Sequence, residues 1–170
     1  ELLKREEDDL CSKRGLLPNC DQQTFLSSDE LRVNIWDLNT PSTSFICVDL
    51  KPKIHNDYTE IIQVCKFHPN HCNLFAYGLN TGDIRLCDMR TKAHCDNTGM
   101  IFHDPNSPYK SSDFFKAFTN VTALEFFRDD HQIVSRDFMN VRVYDIRKNI
   151  NPVSTYNIHD HLIPQLSNAV

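Results

Sequence analysis

The chain has 170 residues, 40% of them hydrophobic and 24% charged, enough apolar material to fill one core. Its net charge of −5 argues against nucleic acid as a partner, because phosphate neutralisation needs a basic excess, and is compatible with a basic protein partner. No run approaches the roughly 18–20 apolar residues of a membrane helix, so no membrane partner is expected.

Taken in chain order, Glu1 to Arg14 reads as a charged helix or a disordered stretch, and residues 1–18 show no repeat pattern. Glu1 to Asp9 lacks the basic and then apolar pattern of a secretory leader. The seven cysteines, at 11, 20, 47, 65, 72, 87 and 95, are odd in number and irregularly spaced. They read as reduced thiols, several buried in strands, of a cytoplasmic protein with the nucleus as a second compartment.

Strands are expected at Phe25 to Ser28, Leu31 to Asn39 and Ser44 to Val48. The pattern returns as Ile62 to Phe67, Phe75 to Gly78, Asp83 to Arg90 and Gly99 to Phe102. It returns again as Val121 to Arg128, Gln132 to Arg136, Asn140 to Arg147 and Val153 to Ile158. Alternation of apolar and polar residues over these lengths means a strand with one buried face. Asn80-Thr81-Gly82-Asp83 carries hairpin-turn chemistry, and Pro69 ends its strand because it has no N–H for the ladder. Residues 39–60 and 91–119 read as long loops rich in Pro, Asn, Asp, Ser and Lys.

The third strand of each group ends alike: Trp36-Asp37, Cys87-Asp88 and Tyr144-Asp145. Four short antiparallel strands per unit are a propeller blade. The expected fold is therefore all-β, a partial WD-repeat propeller. Its blades fall at about 19–50, 61–103 and 120–158, the first strand of the first being doubtful, with a tail at 167–170. Three blades cannot close a ring, which typically takes 4–8. Exposed blade faces and unpaired edges predict marginal stability and aggregation for residues 1–170 alone.

Cys65-x-x-His68-x-x-His71-Cys72 has zinc-type ligands, but Cys65 falls in a strand and His68-Pro69 in the following turn. His159 and His161 read as a solvated loop. Neither a nucleophile elbow nor a phosphate-cradling glycine loop occurs. No catalytic residue, metal or cofactor is expected.

Phe25-Leu26-Ser27-Ser28-Asp29-Glu30-Leu31-Arg32-Val33-Asn34-Ile35-Trp36 resembles a segment of the B-type, fifty-five-kilodalton class of regulatory subunits of protein phosphatase 2A. The most specific run is Ile84-Arg85-Leu86-Cys87-Asp88-Met89-Arg90, where a Cys stands in the usual Trp slot in that family too. The resemblance covers about residues 19–166 and a middle third of a seven-bladed propeller. It implies a non-catalytic regulator that sits on the HEAT-repeat scaffold subunit beside the catalytic subunit. Such a regulator selects phosphoserine and phosphothreonine substrates. The implied substrate groove falls at Glu30, Leu31, Tyr58 and Ile61, an acidic and apolar patch suited to a basic amphipathic helix. Tyr58 replaces a usual Leu, and Glu30 a usual Asp. Two other readings stand beside this one. Asp88-Met89-Arg90 and Asp145-Ile146-Arg147 match the strand ends of WD-repeat substrate receptors of cullin ubiquitin ligases. The chain also reads as a truncated copy without a function of its own.

Overall fold

The computed structural model describes residues 15–51, 60–91, 94–95, 99–105, 117–127, 129–148 and 151–162. Among them, twelve strands form three four-stranded antiparallel sheets. The first sheet runs β1 (Gly15–Pro18), β2 (Thr24–Ser28), β3 (Arg32–Asp37) and β4 (Ser44–Asp49). The second runs β5 (Ile62–Phe67), β6 (Leu74–Leu79), β7 (Ile84–Asp88) and β8 (Met100–Phe102). The third runs β9 (Ala123–Phe126), β10 (Gln132–Arg136), β11 (Asn140–Asp145) and β12 (Ser154–Asn157). Each strand pairs with the next in sequence, so every sheet is a meander and a blade.

The register repeats with the sequence. Phe25 pairs with Trp36, Phe75 with Cys87 and Ile133 with Tyr144. Blades touch through their first strands, β1 on β5 and β5 on β9. These three strands therefore lie innermost, as in a propeller.

The first blade begins earlier than the sequence suggests. Gly15–Pro18 is a strand, paired along its length with Phe25 to Ser28, so the boundary expected at residue 19 moves to 15. Gly-Leu-Leu-Pro has no alternation to betray it, and Pro18 is tolerated because β1 is an edge strand of its sheet.

Two apolar clusters fill the two seams between blades. The first joins Leu26, Val33, Cys47 and Val48 of blade one to Cys65, Phe67, Phe75 and Tyr77 of blade two. The second joins Ala76, Ile84 and Phe102 of blade two to Val121, Leu124, Ile133 and Tyr144 of blade three. Strand β6 serves both seams. Phe75, Tyr77 and Leu79 belong to the first cluster and Ala76 to the second, which is why Phe-Ala-Tyr-Gly-Leu lacks a polar face. Small residues suit the second seam: a Cβ on Gly78 would lie 2.6 Å from Val121 Cγ1.

The six cysteines among the described residues divide into two groups. Cys47, Cys65, Cys87 and Cys95 are buried thiols, as expected of strand cysteines, and burial pushes the Cys47 pKa up to about 12. Cys20 and Cys72 depart from the reduced-thiol expectation: they form a disulfide with Cα atoms 5.6 Å apart. They are 52 residues apart in sequence, and only the packing of blade two on blade one brings them together.

Candidate functional site

Of the residues singled out in the sequence, Glu30, Leu31 and Ile61 lie on one rim of the first seam, built from the β2–β3 turn and the entry to β5. In that turn, Asp29 Oδ1 accepts hydrogen bonds from the amides of Leu31 at 2.8 Å and Arg32 at 2.6 Å. This aspartate-capped turn fixes the main chain at Glu30 and leaves its side chain exposed. Blade three repeats the device, with Asp137 Oδ1 accepting from Met139 at 2.7 Å and Asn140 at 2.5 Å. Blade two has Leu79 at the corresponding position, and the next residue, Asn80, ties the turn to the entry of β5 instead. Asn80 Oδ1 accepts from the Ile61 amide at 2.8 Å, and its own amide donates to the Ile61 carbonyl at 2.9 Å.

The two elements are tied directly. The Glu30 carbonyl accepts from the Ile62 amide at 2.8 Å, and the Leu31 carbonyl from the Leu50 amide at 2.8 Å. Glu30, exposed, and Leu31 and Ile61, both half-buried, are thereby neighbours on the rim. Tyr58 lies outside the described residues.

Behind Ile61, Glu60 receives both carboxylate hydrogen bonds from Arg85 Nη2 at 2.7 Å, and Arg85 lies within 3.5 Å of the Tyr77 hydroxyl. Arg85 is 8% exposed, so this ion pair is largely shielded from water. Arg142, at the equivalent position of blade three, donates to Asp104 at 3.0 Å and to Asp137. Nothing in the sequence pattern predicted these partners, because Glu60 and Asp104 come from connections outside the strands.

The remaining sequence candidates separate. Cys65 is buried in the first seam's cluster, and Cys72 is bonded to Cys20. His68 is fully buried; its Nδ1 accepts from the amides of Asn70 at 3.1 Å and His71 at 3.0 Å, leaving Nε2 to donate to the Asp130 carbonyl at 3.2 Å. Burial lowers the His68 pKa, in keeping with a neutral ring. Among the described residues no group of three or more metal-type ligands converges. His159 is not merely solvated: its ring lies 5.4 Å from that of Phe138, which packs on Phe118 at 5.1 Å.

The two Asp-x-Arg strand ends fold back on themselves. Arg90 forks onto Asp88 at 2.7 Å, and its hydrogen bonds hold the Asp88 carboxyl below the usual carboxylate range. Arg147 does the same to Asp145, whose pKa falls to about 2.

Comparison with known proteins bears on both fold and family. No family model matches the chain. It is 40% identical over 148 residues to the beta isoform of the B-type 55 kDa regulatory subunit of serine/threonine-protein phosphatase 2A from Carassius auratus, covering 87% of this chain and 33% of that protein. It is 42% identical over 146 residues to the beta isoform of Arabidopsis thaliana, covering 86% and 29%. It is 39% identical over 148 residues to the gamma isoform of Oryctolagus cuniculus, covering 87% and 33%. A WD40 propeller chain in a crystal structure of the mitotic checkpoint complex superposes with a TM-score of 0.61 at 14% identity, covering 85% of this chain and 36% of that one. That likeness shows the fold alone: an all-β partial propeller. The chain spans about a third of the length of the curated relatives it matches. Over that third, it belongs to the family of B-type 55 kDa regulatory subunits of protein phosphatase 2A.

Proposed function

We propose that the chain acts as a non-catalytic regulatory subunit of a serine/threonine phosphatase, docking on the scaffold and catalytic subunits and selecting phosphoserine and phosphothreonine substrates. Its place of action is the cytoplasm, with the nucleus as a second compartment. The observation that carries this reading is the 40% identity to regulatory subunits over 87% of the chain. The rim supports it. Glu30, an exposed acidic residue, stands beside the half-buried apolar Leu31 and Ile61, a pairing suited to a basic amphipathic segment. Tyr58 belongs to the same proposed groove by its place in the sequence.

The test is a pull-down of the tagged chain from cell lysate, probed for the scaffold and catalytic subunits. Near-stoichiometric recovery of both is the expected result. Recovery of neither, while a full-length relative captures both, would overturn it.

A further inference from the structure

The repeated register aligns the turns between first and second strands of the three blades. Phe25, Phe75 and Ile133 are equivalent, each pairing with the residue before the third strand's final Asp. Five residues before them stand Cys20 in blade one and Asn70 in blade two; three residues before them stand Cys72 in blade two and Asp130 in blade three. At the second seam, Asn70 Nδ2 donates to Asp130 Oδ1 at 2.5 Å, and His68 reaches the Asp130 carbonyl at 3.2 Å. At the first seam the same two positions hold Cys20 and Cys72, and Asn19 Nδ2 reaches the Cys72 carbonyl at 2.9 Å. A disulfide thus stands where the next seam uses a hydrogen bond.

The Cα separation of 5.6 Å lies in the ordinary range for a disulfide, and the carbonyl anchor from Asn19 holds the second turn in place whether or not the sulfurs are joined. Accessibility also distinguishes this pair. Cys20 is exposed and Cys72 partly so, whereas Cys47, Cys65, Cys87 and Cys95 are buried. Those four belong to the cluster that fills the same first seam.

We propose that Cys20 and Cys72 form a reversible redox clasp across the seam between blades one and two. The oxidant is a low-molecular-weight disulfide. The thiolate of one cysteine attacks it, forming a mixed disulfide and releasing one small thiol. The second cysteine then displaces the other small thiol and closes the Cys20–Cys72 bond. Two protein thiols and one small disulfide become one protein disulfide and two small thiols, and excess small thiol reverses the exchange. Closed, the clasp pins the seam at the rim opposite Glu30 and Ile61. Open, the seam keeps the Asn19 hydrogen bond there without the covalent link and separates more often.

The four buried thiols report seam opening without any added probe. The purified chain is equilibrated with oxidised glutathione or with excess dithiothreitol, then alkylated over time and mapped by mass spectrometry. The expected result is a dominant Cys20–Cys72 linked peptide in the oxidised sample, lost on reduction. Alkylation of Cys47 and Cys65 should be at least about tenfold slower in the oxidised sample. The Cys20→Ser variant should lose that difference between conditions. A mixture of cross-links without preference for this pair, or a linked chain whose buried thiols react at the same rate as in the reduced one, overturns the proposal. A chain that does not fold gives the first of these outcomes.

Discussion

The main-chain carbonyl of Glu30 accepts a hydrogen bond from the amide of Ile62 at 2.8 Å, joining a turn of blade one to the innermost strand of blade two. Because the bond uses main-chain atoms, this join does not depend on the exposed Glu30 side chain. Glu30→Lys is therefore expected to leave the fold intact, with an unchanged circular dichroism spectrum. Reversing an exposed charge at a docking rim acts on association, so capture of basic substrates should weaken by roughly tenfold at low salt and by less at high salt. Equal capture by the variant would remove Glu30 from the proposed groove.

Gly78 packs against Val121 across the second seam. An alanine Cβ there would meet Val121 Cγ1 at 2.6 Å and Val121 Cβ at 2.7 Å, and a β-branched side chain has little freedom to retreat. Gly78→Ala should cost about 1–3 kcal/mol by overpacking, read as a lowered urea midpoint. Adding Val121→Ala should recover part of the loss relative to Val121→Ala alone, since the clash disappears.

His68 gives the fold a dependence on pH. Its ring is fully buried and faces His71 and His131 as well as the Asp130 carbonyl, and burial holds its folded pKa below the ordinary value of about 6.5. The unfolded chain thus takes up the proton more readily than the folded one. Stability is complete above about pH 6.5 and falls as pH drops from there toward the lowered folded value. Protonating Nδ1 would also break its bonds from the Asn70 and His71 amides. The urea midpoint should fall between pH 7.5 and pH 5, roughly the window this histidine spans, and His68→Gln should flatten that slope.

Arg142 is 5% exposed and bridges Asp137, which is 3% exposed, to Asp104. Removing one partner of such a pair leaves an uncompensated buried charge. Arg142→Met should cost about 3–5 kcal/mol, whereas Arg142→Met combined with Asp137→Asn should cost less than the single change. Additive losses would show that the pair is not coupled.

The first and third blades expose Leu16 at 52%, Leu38 at 60%, Val153 at 55% and Tyr156 at 60%. A depression of about 400 Å³ on blade one is lined by Leu16, Leu17, Pro18, Phe25 and Leu38. Apolar faces of this kind associate in water. Residues 1–170 alone should show concentration-dependent self-association by light scattering. A sharp, reversible melt of a monomer would contradict this.

The sequence by itself determined the strands of all three blades apart from β1, because alternation with a repeated terminal Asp is a local signal. The sequence marks Leu31 as the start of a strand, whereas β3 begins at Arg32 and Leu31 lies in the turn capped by Asp29. Gly15–Pro18 escaped it because four residues without alternation carry no period to read. The tertiary structure decided the contacts between residues far apart in sequence, within a blade and across a seam. Only packing shows that Glu30 meets Ile62, that Arg85 and Arg142 find Glu60 and Asp104, and that His68 reaches Asp130. The pairing of Cys20 with Cys72 is of the same kind, since cysteine spacing leaves many connectivities open and only the stacking of one blade on the next selects between them.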